Sequence, residues 1–399
     1  MKNNWINQLI ATVGLVMLLT DGIAQRFLSE SEVIAMALKN SAAFQRADLQ
    51  VKQNQYLQRT GFNLPNPEVI AESPTGEFYA VGVLQSLEFP SVYIKQRQLN
   101  KQVTRLSEMQ KEISRQDVVR LVRSLYLDVQ FGEALYKHLQ RQDSLYDAIA
   151  SSADRQFEAG TIDFLAKTFA HTQAGEINNQ LAQTREEYGA VMRQLNLYTG
   201  FRDSIKTAPL ARITDDSIEP DFDSSIVRTN PSIQYFEQMK NVNAKTLEVE
   251  RNKALPGLVF GYLNQGSKST DTYYRFRVGF TVPLWFWQYS GNIKAARTGV
   301  EIAAQESKAQ QMSLSADMVQ VYADLRKFGQ SLEYYERRGL KQTDDIVSSA
   351  RRFFESGQLD YVSYLRNINE AYLIKARYLE TLRNYNQAVI TLNYLTGKL

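Results

Sequence analysis

Apolar residues recur along this chain at two different periods, and the switches between them divide it into segments. In Val103, Leu106, Met109 and Ile113, and again in Val118, Leu121, Leu125 and Val129, the steps are of three and four residues. That spacing is the mark of a helix with one apolar face. The nine prolines sharpen the reading, because none falls from Ser91 to Thr207 or from Leu284 onward. Proline breaks helix interiors, so two proline-free tracts rich in Gln, Glu, Lys, Arg, Ala and Leu predict long helices. A helix from about Lys95 to Phe157 would run roughly 95 Å, longer than a compact soluble domain. Polar residues interrupt its apolar stripe, as coiled-coil packing with one face on water requires.

Outside these tracts the period drops to two. Tyr274, Phe276, Val278, Phe280 and Val282 alternate with Arg275, Arg277, Gly279 and Thr281. Tyr79, Val81, Val83, Leu87 and Phe89 alternate with Ala80, Gly82, Ser86 and Glu88 in the same way. Shorter partners lie at Glu68 to Glu72 and Leu258 to Asn264, joined through the turns Ser73-Pro74-Thr75-Gly76 and Gly266-Ser267-Lys268-Ser269. Period two gives a strand one apolar and one wet face. Strands with an apolar exterior and a polar interior suit a membrane barrel. An ordinary half-buried sheet is the alternative, but helices of roughly 95 Å leave no compact body for its apolar face to cover. Four strands cannot close a barrel, since the smallest have about eight. An open edge in lipid would leave backbone groups unpaired, so several copies must pool their strands.

The chain is also written twice. Gly160 matches Gly357 and Gly200 matches Gly397, 197 positions apart in both cases. In the same frame Arg155, Phe157, Glu158, Asp163, Tyr188, Leu195, Asn196 and Thr199 recur as Arg352, Phe354, Glu355, Asp360, Tyr385, Leu392, Asn393 and Thr396. This is an internal duplication. Each repeat reads helix, strand, turn, strand, long helix, turn, helix. The front helices begin after Asn40 and Asn230 and end at Leu64-Pro65 and Leu255-Pro256. The expected divisions are a leader over 1–24, a first repeat over 25–207 with its strand pair at 67–89, and a second repeat over 208–399. The second contains a linker over 201–230 and a strand pair at 257–283.

Composition narrows the chemistry. Lys and Arg number 46 against 43 Asp and Glu, a net charge of +3 that gives no basic stripe for nucleic acid. The chain has no cysteine, which excludes disulfides, thiolate metal sites, a cysteine nucleophile and a lipidated Cys. A basic start at Lys2, an apolar run from Ile10 to Leu19 and the small residues of Gly22-Ile23-Ala24 read as a secretory signal cleaved after Ala24. No later stretch reaches the roughly 20 apolar residues of a membrane helix, so any crossing falls to strands. With only His138 and His171, and carboxylates spread along helix faces, no nucleophile, base or phosphate cradle is assembled. No enzyme, cofactor or metal site is expected.

Several stretches resemble the TolC-like outer-membrane efflux family over nearly the whole mature chain. They are Ser29 to Ser41 (SESEVIAMALKNS), Leu64-Pro65-Asn66-Pro67-Glu68, the turns Arg155 to Gly160 (RQFEAG) and Arg352 to Gly357 (RFFESG), and the repeat ends Leu195 to Gly200 (LNLYTG) and Leu392 to Gly397 (LNYLTG). The resemblance implies a mainly α fold with β, in which a homotrimer forms a twelve-stranded outer-membrane β-barrel continued by a twelve-helix periplasmic α-barrel. It implies a passive exit duct for small molecules or metal ions, docked to a periplasmic adaptor (membrane fusion) protein and an inner-membrane pump. The spacing Gly-x-x-Asp-aromatic at both turns is similar to the heavy-metal and drug efflux branch, although many members of that branch carry a lipidated Cys.

The family likeness puts the mouth and the adaptor contact at the turns, here Phe157, Gly160, Asp163, Phe354, Gly357 and Asp360. Asp163 and Asp360 are expected at least to cap the returning helices, and in a trimer would place six carboxylates in one ring. Phe157 and Phe354 could narrow the same opening or pack on neighbouring helices. The cluster Trp285, Phe286, Trp287 and Tyr289 would lie in outer-membrane lipid as an interfacial belt. A periplasmic adaptor or coiled-coil scaffold is the competing class. It explains long hairpins but not two alternating strand pairs at equivalent places in a duplication.

Overall fold

The computed structural model describes residues 26–72, 80–201, 205–214, 229–264 and 275–399. The expected leader, both strand-connecting turns, Tyr79 and Tyr274 lie outside them.

Chain order is β1 (Arg26–Phe27), α1 (Glu30–Asn40), α2 (Ala42–Arg59), β2 (Glu68–Glu72), β3 (Ala80–Leu87), α3 (Pro90–Glu158) and α4 (Phe164–Thr199). The second half gives β4 (Ile205–Lys206), α5 (Pro231–Lys253), β5 (Gly257–Asn264), β6 (Phe276–Thr281), α6 (Phe286–Tyr334), α7 (Leu340–Glu355) and α8 (Tyr361–Leu395). Helix α3 alone has 69 residues, about 104 Å. Pro90 and Pro231 open α3 and α5, positions where the missing N–H costs no helical bond. The sequence pattern did not foresee that α6 and α7 are joined by one π-helical segment, Tyr335–Gly339, instead of continuing as α-helix.

Strands β2, β3, β5 and β6 form one antiparallel sheet in that order. Register puts Val83 opposite both Val69 and Tyr262, and Phe260 opposite Val278. One face therefore carries Val69, Val81, Val83, Phe260, Phe276, Val278 and Phe280, all exposed in the single chain. The opposite face corrects the expected polar wall. There Gly82 faces Leu263 and Leu84 faces Gly261, and a Cβ at Gly82 would lie 2.4 Å from the Leu263 side chain. Each leucine folds over the glycine across from it, and Leu263 is buried in this way.

The helices pack side by side in one layer. Near the sheet the order is α2, α3, α5, α6; towards the turns it is α4, α3, α8, α7. Lower and upper helices meet end to end. Asn40 Nδ2 donates to the carbonyls of Leu197 and Tyr198 at the end of α4, both at 3.3 Å. Asn230 Nδ2 donates to that of Leu395 at the end of α8, at 2.9 Å. Two core clusters sit at this waist, around Val122, Val129 and Leu195 in one repeat and Met318, Val389 and Leu392 in the other. A third joins the two hairpins near their turns, with Tyr146, Ala153 and Ala170 against Leu365 and Ile368.

Candidate channel mouth and membrane face

Both hairpins end in the same six-residue device. At the first, Gly160 adopts φ 71°, its N–H donates to Phe157 O at 2.9 Å, and Thr161 N–H donates to Gln156 O at 2.9 Å. At the second, Gly357 adopts φ 73°, with the matching bonds to Phe354 O and Phe353 O at 3.0 and 2.9 Å. These are Schellman turns, which satisfy the last helical carbonyls through a left-handed residue. A Cβ at either glycine would meet nothing within 4 Å, so backbone conformation, not space, demands glycine there.

The returning helices start in equally matched fashion. Asp163 Oδ1 accepts from Ala166 N–H at 2.7 Å, and Asp360 Oδ1 from Ser363 N–H at 2.9 Å. Both aspartates are thus N-caps, as the sequence suggested. Both also remain exposed, with carboxylate surface open to water. The Ser363 hydroxyl and amide hold the Asp360 carboxyl below its ordinary range, so it stays charged at neutral pH. A groove between the two turns is lined by Arg155, Thr161, Asp163, Gly357 and Asp360, bringing the two carboxylates to one end of the molecule.

The two phenylalanines are used for packing within the chain. Phe157 meets Phe164 edge-on at 6.2 Å between centroids, with Lys167 Nζ 5.1 Å from its own ring. Phe354 stacks on Tyr364 at 4.6 Å and meets Tyr361 edge-on at 5.5 Å. Of the histidines, His171 Nε2 lies 3.0 Å from Asp154 Oδ1, which Lys167 also reaches at 3.0 Å. His138 is buried against Tyr372, its Nε2 3.1 Å from Tyr372 O, and desolvation pushes its pKa down. Among the described residues no three His, Cys, Asp or Glu side chains come together as metal ligands. No described helix is long and apolar enough to cross a membrane.

At the helical end of the sheet, Trp285 and Trp287 lie 5.1 Å apart and both are exposed, as are Leu284 and Phe286. Tyr289 is half-buried one turn further on. These residues extend the apolar face of the sheet at the edge where strands give way to helices. The sequence reading missed Asn40 and Asn230, which join lower helices to upper ones. Their only linear signal is an Asn at a helix boundary, one position before the Ser41 cap in the first repeat and the cap itself in the second.

The chain thus joins a four-stranded sheet with one exposed apolar face to two long helical hairpins through duplicated connections. Residues 224–398 match the sequence model of the outer membrane efflux protein family. No curated protein sequence matches the chain. Its fold is similar to the CmeC outer membrane channel of Campylobacter jejuni, with TM-score 0.77 and 14% identity over 92% of this chain and 85% of that one. It is similar to the outer membrane protein VceC of Vibrio cholerae, with TM-score 0.76 and 11% identity over 92% and 96%. The open-state MtrE channel of Neisseria gonorrhoeae gives TM-score 0.74 and 13% identity over 92% and 88%. The family match lies in the second repeat, while the shared fold extends over both repeats. CmeC and MtrE, which share this fold, are outer membrane channels.

Proposed function

We propose that three copies of this chain make a passive exit duct for small molecules or metal ions, supplied by an inner-membrane pump through a periplasmic adaptor. One observation carries the assembly. The outer face of the sheet leaves Val69, Val278 and Phe280 at least 70% exposed, and among the described residues β2 and β6 have no strand on their outer edges. In lipid the apolar face is favourable, but the open edges are not. Three four-stranded sheets joined β6 to β2 close twelve strands and satisfy both edges. Trp285, Trp287 and Tyr289 then sit at the periplasmic interface, where aromatic belts lie.

The expected result is a detergent-stable trimer by light scattering after subtraction of detergent. A monodisperse monomer sinks the assembly. Val278→Arg puts a charge on the lipid face and should cost about 2–4 kcal/mol, blocking assembly, while Arg277→Ala on the opposite face assembles normally. Equal tolerance of the two would reverse the assignment of faces.

In this reading the turns form the duct's mouth and meet the adaptor, and Asp163 and Asp360 contribute six carboxylates to it. Such a ring attracts cations and repels anions. Asn caps helices about as well as Asp. The double change Asp163→Asn with Asp360→Asn should therefore keep the trimer but lose cation preference in planar bilayers. Unchanged selectivity leaves these aspartates as caps alone.

A further inference from the structure

Matched at the repeat length of 197, the two hairpins carry different charge at equivalent places. In the first, Asp154 on α3 lies 3.0 Å from both Lys167 and His171 on α4, and Asn178 Nδ2 on α4 donates to Asp143 Oδ1 on α3 at 3.2 Å. In the second, Arg351 stands in the place of Asp154 and Lys375 in that of Asn178, while Lys167 and His171 give way to Tyr364 and Ile368. The first hairpin therefore answers these charges from helix to helix. In the second, Arg351 finds its partner on its own helix, Glu355 at 3.0 Å.

This basic face opens on a groove of about 630 Å³ over α8, which lies between α3 and α7. Arg141 comes from α3, Arg351 and Arg352 from α7, and Lys375 from α8. Against these four cations the lining has one carboxylate, Asp344. Arg352 donates to Ser349 Oγ at 3.4 Å, and among the described residues Arg141 and Lys375 have no ion-pair partner. The floor is uncharged. Thr343 is buried there, its Oγ1 donating to Gly339 O at 2.9 Å. His138 is buried too, and desolvation, with Lys375 and Arg141 beside it, keeps its ring neutral. Like charges gathered around such a floor repel one another and attract an anion. Guanidinium groups meet phosphate or carboxylate oxygens through paired N–H donors, and an ammonium adds a point charge.

We infer that this groove binds a small multivalent anion bearing phosphate or carboxylate groups, one per chain. Both helices that flank α8 belong to the same chain, so the site is complete without a second copy. It stands or falls apart from the trimer proposed above.

Isothermal titration calorimetry of the detergent-solubilised chain with inorganic pyrophosphate, and separately with citrate, tests the site at neutral pH and low salt. At least one probe should saturate at one per chain and weaken as salt rises to about 0.5 M, because screening acts on exposed charges. Binding of pyrophosphate alone assigns the groove to phosphate groups, of citrate alone to carboxylates, and of both to any compact multivalent anion. Arg141→Gln with Lys375→Gln should weaken binding by about tenfold or more, and Asp344→Asn should tighten it. The control Lys101→Gln with Arg105→Gln removes the same charge roughly 54 Å away along α3 and should leave binding unchanged. All these side chains are exposed, so each variant should keep the helical circular dichroism of the parent. No saturable binding of either probe overturns the inference. So does a groove pair that binds as the parent does, or a loss equally large in the control.

Discussion

The two places where a lower helix is joined to an upper one solve one problem in two ways. In the second repeat a single side chain does both jobs. Asn230 Oδ1 accepts from Ser232 N–H at 2.7 Å to cap α5, and Nδ2 donates to Leu395 O at 2.9 Å to cap α8, in a pocket that leaves it 3% exposed. In the first repeat the work is divided and wet. Asn40 reaches the end of α4 with two bonds of 3.3 Å, while Ser41 Oγ accepts from Phe44 N–H at 3.3 Å to cap α2. Both junctions run the negative end of one helix dipole into the positive end of the next. The difference lies in solvent access. A buried carbonyl that loses its donor stays unsatisfied, whereas an exposed one turns to water. Duplication has kept the geometry and let the energetic stakes diverge.

Asn230→Ala against Asn40→Ala is the sharpest probe of that divergence. The buried change should cost about 2–3 kcal/mol and the exposed one about 0.5–1 kcal/mol. Chemical denaturation of the solubilised protein, followed by helical circular dichroism, gives both values. Equal losses would mean that burial does not distinguish the junctions.

A smaller contrast follows at the adjacent glycines. Gly200 and Gly397 both adopt left-handed φ, 70° and 72°, which costs an L-residue about 1–2 kcal/mol. A Cβ at Gly397 would also lie 3.1 Å from Pro231 Cδ and 3.2 Å from Thr229 O, while at Gly200 its nearest neighbour is the Asn40 side chain at 3.4 Å. Gly397→Ala should therefore destabilise more than Gly200→Ala. The open tip variants Gly160→Ala and Gly357→Ala should match each other at about 1 kcal/mol. A tip variant as costly as Gly397→Ala would reveal a neighbour at the mouth that the single chain does not contain.

Sequence carried what is local and repeated. The tip turns, their Asp caps and the two-residue alternation of Phe276, Val278 and Phe280 each depend on a few consecutive positions. Asn40 and Asn230 were visible only as helix boundaries, because their partners at Leu197 and Leu395 are some 160 residues away. Leu84 and Leu263 broke the expected polar inner face for a similar reason. Each is accommodated by a glycine on the opposite strand, and only the register reveals which one. The π-helical Tyr335–Gly339 has no signature in period or composition.

The smallest expected effect compares two charge clusters that tie front helices to α3. In the first repeat Asp48 on α2 lies 2.6 Å from Lys111 and 2.8 Å from Lys52. In the second, Glu248 on α5 lies 2.8 Å from both Lys245 and Lys95. The Lys111 ammonium, then that of Lys52, lowers the Asp48 carboxyl to about 2; Lys245, then Lys95, lowers Glu248 as well. A carboxylate depressed in the fold adds stability above its unfolded pKa and loses it as pH falls through the folded one. For Asp48 that window runs from about 4 down to about 2. Glu248 begins from a higher ordinary value, 4.5, so its contribution starts to fade at higher pH. Asp48→Asn should thus lower the thermal midpoint slightly at pH 6, with the gap to the parent closing only between pH ~4 and ~2. The gap for Glu248→Gln should begin to close first. Both pairs are partly exposed, so both gaps should also shrink in about 1 M salt. If the Asp48 gap closes before the Glu248 gap, or neither responds to salt, the clusters do not act as charge pairs.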